Sequence, residues 1–438
     1  MIEYGPGLVD PGNLNSAEII ACGTEVLLGQ VLNTNAWWLA RQLADLGINC
    51  YHQTVVGDHP ERLRQAIEVA LERNDAVVIT GGLGPTADDI SLAQAARAAG
   101  RELTFSESAW QEIVAYFAAS GRTPTENNRK QALLPLPCWL IPNHNGTAPG
   151  VAFTVDYAGK IRTLILLPGP PNENRPMFTA YVAPFLAEHS AAEFRHIYFH
   201  LVGIGEAQTE NEIADLVAKS GNPSIATYVS PGEVMIRLTQ RRDKSATDAE
   251  ADMLAPLAAE VRRRLEKYIY EEGNRSLPEV VLAELLKNGR TLGMAESCTG
   301  GLISSELVAF PGASRVFLGS VVAYDNSAKE KFLGVAPRVL AEEGAVSETV
   351  ALQMALGCRE RFGSDYALAV TGIAGPEGGT ETKPVGLVYI ALAGGIEPEG
   401  CCEKFIFRGE RQRIRSLTAT NALALLYRLI NCSESYLR

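Results

Sequence analysis

Three polar positions in the second half of the chain have the types and spacing of an acyl-transfer site. Ser297 lies in Glu296-Ser297-Cys298-Thr299-Gly300-Gly301, where the apolar run from Thr291 to Ala295 gives way to a helix-like stretch. A strand that ends in a hydroxyl, a thiol and two glycines and then opens a helix holds a nucleophile beside backbone N–H donors. None of the six histidines lies beyond His200. A serine nucleophile there needs another base, and lysine and tyrosine are the usual substitutes. Tyr324 and Lys329 supply both, across a loop that runs into a helix start. Each residue alone has a plainer reading: Ser297 as a helix N-cap, Lys329 as a solvated charge, Tyr324 as a half-buried strand aromatic. Together, in a half without histidine, they favour a serine–lysine/tyrosine hydrolase. Cys298 is the rival nucleophile, but neighbours on an extended chain point apart, and its plain reading is a small buried residue.

The first half offers different chemistry. Two glycine-containing loops, Gly23-Thr24-Glu25 and Gly81-Gly82-Leu83-Gly84-Pro85-Thr86-Ala87-Asp88-Asp89, each follow an apolar strand-like run. Glycines let backbone approach a phosphate, and ligands of such sheets bind beyond the strands' carboxyl ends. Asp88 and Asp89 would repel a bare phosphate; they fit one bridged by a divalent cation, or they simply favour a helix N-terminus. Neither the dinucleotide G-x-G-x-x-G nor the Walker pattern occurs, so an ordinary NAD or ATP loop is excluded.

The elements that must position these groups fall into three parts, in keeping with the 438-residue length. From Ala17 to Thr80, strand, helix, strand, helix and strand alternate, which implies a parallel sheet with helices on its faces. The segment from 191 to 273 reads as a helix, a hairpin through Ser230-Pro231-Gly232 and a long amphipathic helix, a small α+β unit. From 274 onward, helices alternate with strands of mixed direction in a layered α/β/α domain. Residues 1–16 are rich in Gly and Pro and read as a flexible extension without signal-peptide character. The net charge of −12 disfavours a broad nucleic-acid surface. Eight cysteines without a C-x-x-C pair, including Cys432 and the adjacent Cys401 and Cys402, read as reduced thiols of a cytoplasmic protein. No apolar run is long enough to span a membrane.

On these motifs the chain resembles the CinA (competence/damage-inducible) family. In the first half the resemblance rests on Gly23-Thr24-Glu25, Leu28-Gly29-Gln30, Asn33-Thr34-Asn35, Thr80 to Thr86 with Asp88-Asp89, Asn143 to Gly150 and Leu167-Pro168-Gly169. It implies a molybdopterin-binding-like, three-layer domain over 17–190. It also implies a metal-dependent ADP-ribose pyrophosphatase with Gly23, Thr24, Glu25, Asn35, Gly81, Gly82, Gly84 and Thr86 at a nucleotide site and Asp88 and Asp89 at a divalent metal of unspecified identity. The chain departs from the family after Leu167-Pro-Gly, where a Glu-Met pair is usual, and Ser91 replaces a usual threonine. The segment 191–273 is similar to the family's KH-like insert. It lacks the G-x-x-G loop that clamps nucleic acid, and a connector or dimer contact is the expected role.

The second half is similar to nicotinamide-nucleotide amidohydrolases over 274–438, through Glu296 to Gly301, Tyr324 with Asn326 and Lys329, Gly344 to Ser347, Thr371 to Pro376 and Lys383 to Gly386. The resemblance implies hydrolysis of nicotinamide mononucleotide (NMN) to nicotinate mononucleotide and ammonia, with no cofactor. In chemical terms, Ser297 attacks, a desolvated Lys329 takes the proton, and Tyr324 relays or positions it. Backbone N–H groups from Cys298 through Thr299 and Gly300 to Gly301 hold the oxyanion. Asn326 and the loop Thr371, Gly372, Ile373, Ala374 and Gly375 contact the substrate. One of Arg408, Arg411 and Arg415 completes the phosphate site, and the sequence does not choose among them. A homodimer acting on pyridine nucleotides, without membrane partners, is the expected assembly. The reading from a different class is a non-catalytic pterin- or nucleotide-binding platform.

Overall fold

The computed structural model describes residues 8–244 and 252–431. It divides into two compact units, one comprising Met1–Arg195 with Gln240–Asp252, the other His196–Thr239 with Met253–Arg438. The first contains the strands β1 (Ser16–Cys22), β2 (Asn49–Val56), β3 (Ala76–Thr80), β4 (Trp139–Ile141), β5 (Gly150–Tyr157) and β6 (Lys160–Leu167), in sheet order β2-β1-β3-β6-β5-β4. β1 pairs in parallel with β2 and β3, and β3 with β6. The parallel sheet expected from these strands is borne out, and it is extended at one edge by β5 and β4, which join through antiparallel pairings. The reversal comes from a two-residue turn, Ala158 (φ 53) and Gly159 (φ 76), whose left-handed backbone matches strand twist. Alternate residues of β1 serve opposite layers. Ile20 and Cys22 meet Leu63, Ile67 and Leu71 of the helix Pro60–Arg73. Ala17 and Ile19 meet Leu39 and Leu43 of the helix Thr34–Asp45.

Residues 8–16 are not a free extension. Leu14 is fully buried, and its amide donates to the His189 carbonyl at 2.7 Å. Asp75 accepts the amides of Asn15 and Ser16 at 3.0 and 3.1 Å. The Gly/Pro content concealed a segment whose anchors, Asp75 and His189, lie far along the chain. Residues 1–7 of that expectation lie outside the described residues, as does Cys432.

β7 (Ala192–Val202), β8 (Ser224–Ser230), β9 (Glu233–Asp243) and β10 (Ile269–Glu272) form the sheet β8-β9-β7-β10, which belongs to the second unit except for the start of β7 and the end of β9. Helices Glu206–Lys219 and Leu254–Leu265 cover it through Ile213, Val261 and Leu265. The larger sheet has the order β12-β11-β13-β14-β15, built from β11 (Leu292–Glu296), β12 (Phe317–Val322), β13 (Tyr366–Gly372), β14 (Leu387–Gly394) and β15 (Glu397–Ile406). β12, β11 and β13 are parallel, while β14 and β15 are antiparallel. Every residue of β11 is buried, which explains a continuous apolar run without alternation. On one face Met294, Leu368 and Ile390 pack with the helices Leu277–Asn288 and Arg411–Asn431. On the other, Ala295, Ala367, Ala369 and Ala391 receive the helix Glu348–Phe362. Cys401 joins the first core and Cys402 the second, as alternation along a strand requires. The seven described cysteines are free thiols. Among the described residues, no helix is long and apolar enough to cross a membrane.

Candidate functional site

The parallel pairing of β11 with β13, which sets Glu296 beside Val370, brings two polar loops to one sheet edge. The Ser297 amide donates to the Val370 carbonyl at 3.1 Å, and the Gly300 amide returns to the Ser297 carbonyl at 3.1 Å. This closes a tight turn. Gly300 (φ 62) and Gly301 (φ 91) are both left-handed, a pair of conformations that side chains with a Cβ resist. Behind the turn, the nearly fully buried Glu296 carboxylate accepts the amides of Gly301 (3.0 Å), Ile303 (3.2 Å) and Ser304 (2.9 Å). It thereby caps the helix Leu302–Val308.

Lys329 sits on the helix Asn326–Leu333, started by Asp325, which accepts the Ser327 amide at 2.9 Å. Only 1% of Lys329 is exposed. Its Nζ donates to the carbonyls of Ala323 (2.9 Å) and Tyr324 (3.2 Å). Burial pulls its pKa below the ordinary lysine value, against the opposing pull of Asp325. The Tyr324 ring is exposed, and its Oη accepts from Arg411 Nη2 at 2.8 Å, while Arg411 Nη1 donates to the Gly375 carbonyl at 2.8 Å. Ser297, Cys298, Tyr324, Lys329, Thr371 and Arg411 line one cavity of about 210 Å³, with Gly372 and Ala374 in its wall. The Cys298 thiol is pushed up to about 12 by burial, which leaves little thiolate to compete with Ser297.

Other expected residues stand back from this cavity. Asn326 and Arg408 are exposed and do not line it. The Gly375 carbonyl holds Arg411, and the Ile373 amide is bound to the Leu387 carbonyl at 2.8 Å. The expectation that Gly300 and Gly301 donate to an oxyanion is corrected. Their amides are committed to the Ser297 carbonyl and the Glu296 carboxylate, and Thr299 does not line the cavity, so only the amide of Cys298 stays a candidate. Thr299 is fully buried and offers its carbonyl to Arg415. The roles of Glu296, Arg415 and Lys383 were missed. Lys383 donates to the carbonyls of Glu343 and, at 2.6 Å, Val346, and so fixes a cavity wall. An acidic residue just before a helix start was the available signal for Glu296.

The first unit carries a larger cavity, about 590 Å³, beyond the ends of β1, β3 and β6. Gly23, Glu25, Asn35, Gly81, Gly82 and Gly84 line it, with Asp88 and Asp89. At Gly81 (φ +93) a Cβ would lie 2.3 Å from the Cys22 carbonyl oxygen, so only glycine fits. Asn35 Nδ2 ties the loops together through Thr80 Oγ1 (3.0 Å) and the Gly169 carbonyl (2.6 Å). Thr24 and Thr86 do not line the cavity but brace it. Thr24 exchanges hydrogen bonds with Asp58, amide to carboxylate at 2.9 Å and amide to hydroxyl at 3.1 Å. Thr86 contacts Asp88 and donates its amide to Asp89 at 2.8 Å. Two lining carboxylates, Asp58 and Glu173, escaped the sequence reading. Glu173 accepts from Asn143 Nδ2 at 2.7 Å, and burial raises its pKa. No lysine or arginine is among the lining residues.

Among the described residues, no group of three or more His, Cys, Asp or Glu side chains is arranged to hold a metal ion, so a cage made by protein alone is not formed. Asp88 and Asp89 still supply hard oxygen donors of the kind magnesium-type ions take one or two at a time, the rest coming from water and phosphate. The pair fits an ion that arrives with a phosphorylated ligand.

Residues 18–188 match the molybdopterin binding domain family, 196–270 the damage-inducible protein CinA KH domain and 274–430 the CinA C-terminal domain. A CinA-like protein of Dictyoglomus turgidum is 47% identical over 411 residues, covering 94% of this chain and 98% of that one. A CinA-like protein of Kosmotoga olearia is 42% identical over 414 residues, again covering 94% and 98%. A solved structure of a competence/damage inducible protein from Agrobacterium tumefaciens is 40% identical and covers 35% of this chain and 93% of that one, with a TM-score of 0.34.

Proposed function

This chain belongs to the CinA family, and on that footing we propose that its C-terminal domain is a serine amidase converting NMN and water to nicotinate mononucleotide and ammonia. The observation that carries this reading is the convergence of Ser297, Tyr324, Arg411 and a buried Lys329 on one cavity. An amide carbon is a poor electrophile, and a covalent acyl-serine divides its barrier into two smaller ones. Ser297 Oγ bonds to the carboxamide carbon as its proton passes to the neutral Lys329 amine. The amide of Cys298, in the cavity wall, receives the oxyanion. The carbon–nitrogen bond then breaks, the proton leaves with ammonia, and water cleaves the acyl ester. Two carbonyls aim Lys329 Nζ. Arg411 holds the Tyr324 hydroxyl, and its presence in the cavity wall supports it as the partner of the substrate phosphate.

The N-terminal domain is proposed as a metal-dependent ADP-ribose pyrophosphatase. What favours it is a cavity with carboxylates and no lysine or arginine, which suits a diphosphate accompanied by divalent cations. When bound, the metal would neutralise phosphate charge; Asp88 and Asp89 would hold it. Asn35 and Thr86 keep the two loops in place.

The deciding experiment measures ammonia release from NMN and hydrolysis of ADP-ribose on the same preparation, with and without EDTA. Ammonia release that survives EDTA, beside ADP-ribose hydrolysis that does not, supports both readings. A folded protein that releases no ammonia overturns the amidase, and thermal stabilisation by ADP-ribose without turnover makes the N-terminal domain a binding platform.

A further inference from the structure

We propose that Arg415 is a positioning residue for the nucleophile turn and does not bind the substrate phosphate; the inference rests on the amidase reading for its kinetic part only. Arg411 and Arg415 stand one helical turn apart, on the same side of the helix Arg411–Asn431. Side by side, they do different things. Arg411 lines the cavity and reaches Tyr324 Oη and the Gly375 carbonyl. Arg415 does not line it. Its Nε and Nη2 converge on the Thr299 carbonyl at 3.2 and 2.6 Å, and its Nη1 donates to Gln412 Oε1 at 3.1 Å. All three guanidinium nitrogens are thus engaged within the protein.

The carbonyl it holds is well chosen. The Thr299 oxygen and the Gly300 N–H belong to one peptide group, and that N–H closes the turn on the Ser297 carbonyl. A cation on the oxygen polarises the peptide in the direction that strengthens the hydrogen bond its N–H donates, and it stops the peptide plane from turning over. On the far side, Glu296 holds the next amide, that of Gly301, at 3.0 Å. Two successive peptide groups of the turn are thus held, one by a cation on the Thr299 carbonyl and one by an anion on the Gly301 amide, immediately after Ser297 and Cys298. A planar fork delivers two donors to one oxygen, which a lysine ammonium does less rigidly.

The test compares wild type, R415M, R415K and R411Q in two assays: kinetics of ammonia release from NMN, and amide hydrogen exchange across residues 298–302. R415M is expected to lower kcat about 100-fold with KM changed less than about threefold, the pattern of a lost transition-state contact. R415K recovers part of kcat. R411Q instead raises KM. Exchange in R415M accelerates within 298–302 and stays at wild-type rates in β11. A rise in KM at unchanged kcat for R415M would make Arg415 a ligand residue and overturn the proposal, as would wild-type exchange in the turn. Exchange needs no turnover. A wild type that releases no ammonia therefore removes the amidase reading, while the exchange result still decides the role of Arg415. If R415M does not fold, R415K, which keeps the charge but loses the fork, is read in the same two assays.

Discussion

The two candidate sites use one architectural idea with opposite electrostatics. Each lies where parallel strands end in glycine-containing loops, and each is proposed to meet a phosphorylated pyridine or adenine nucleotide. The N-terminal cavity presents Glu25, Asp58, Asp88, Asp89 and Glu173 and no basic side chain. The C-terminal cavity presents Lys329 and Arg411 and no carboxylate. A phosphate entering the first must bring its own positive charge, whereas one entering the second finds a guanidinium waiting. Whether such a site needs a cation is decided by the residues that line it and not by the sheet that carries it.

The sharpest way to break this contrast is Ser297→Ala. Ammonia release should fall about 10⁴-fold or more, with ADP-ribose hydrolysis untouched; a parallel loss of both activities would mean the sites are not independent. Next in size, Lys329→Met should lower ammonia release about 1,000-fold yet raise the melting temperature, read by calorimetry. The sign follows from linkage. Burial depresses the folded pKa of Lys329, so between the folded and unfolded pKa values the unfolded chain binds the proton more readily, and wild-type stability rises with pH across that window. An apolar replacement removes the cost of burying the amine. For the same reason, kcat/KM of the wild type should climb with pH to a plateau, with its midpoint below the ordinary lysine value of about 10.4. A midpoint at or above that value would remove Lys329 as the base. Converting Asp88 and Asp89 together to asparagine should cut ADP-ribose hydrolysis about 100-fold and leave ammonia release alone. The smallest effect is expected from Arg411→Gln, a rise of about tenfold in the KM for NMN, the worth of one screened phosphate contact. An unchanged KM would shift the phosphate away from Arg411.

How far these features can be read from sequence depends on how local they are. Ser297, Tyr324 and Lys329 announce themselves because a strand end, a loop and a helix start are short-range patterns. The buried run Leu292–Glu296 is of the same kind. Asp58 and Glu173 do not, because they meet the glycine loops only through sheet order β2-β1-β3-β6. The hairpin of β5 and β6 was passed over because both strands are largely buried on both faces and so lack clean alternation. Among Arg408, Arg411 and Arg415, sequence offers three equal cations. The structure separates them, because Arg415 is drawn inward by a carbonyl, Arg411 faces a cavity and Arg408 faces solvent. The anchoring of Leu14 depended likewise on His189, which no local pattern links to it.

The bond from Arg415 to Thr299 joins residues 116 positions apart, and this has a consequence for biosynthesis. A ribosome that has finished the nucleophile turn must make the whole remainder of the sheet before the guanidinium that steadies it exists. Until then the turn is held by Glu296 and by the Val370 carbonyl but lacks its cation. A message broken before the codon for Arg415 would therefore yield a product with its serine present but its turn without that hold.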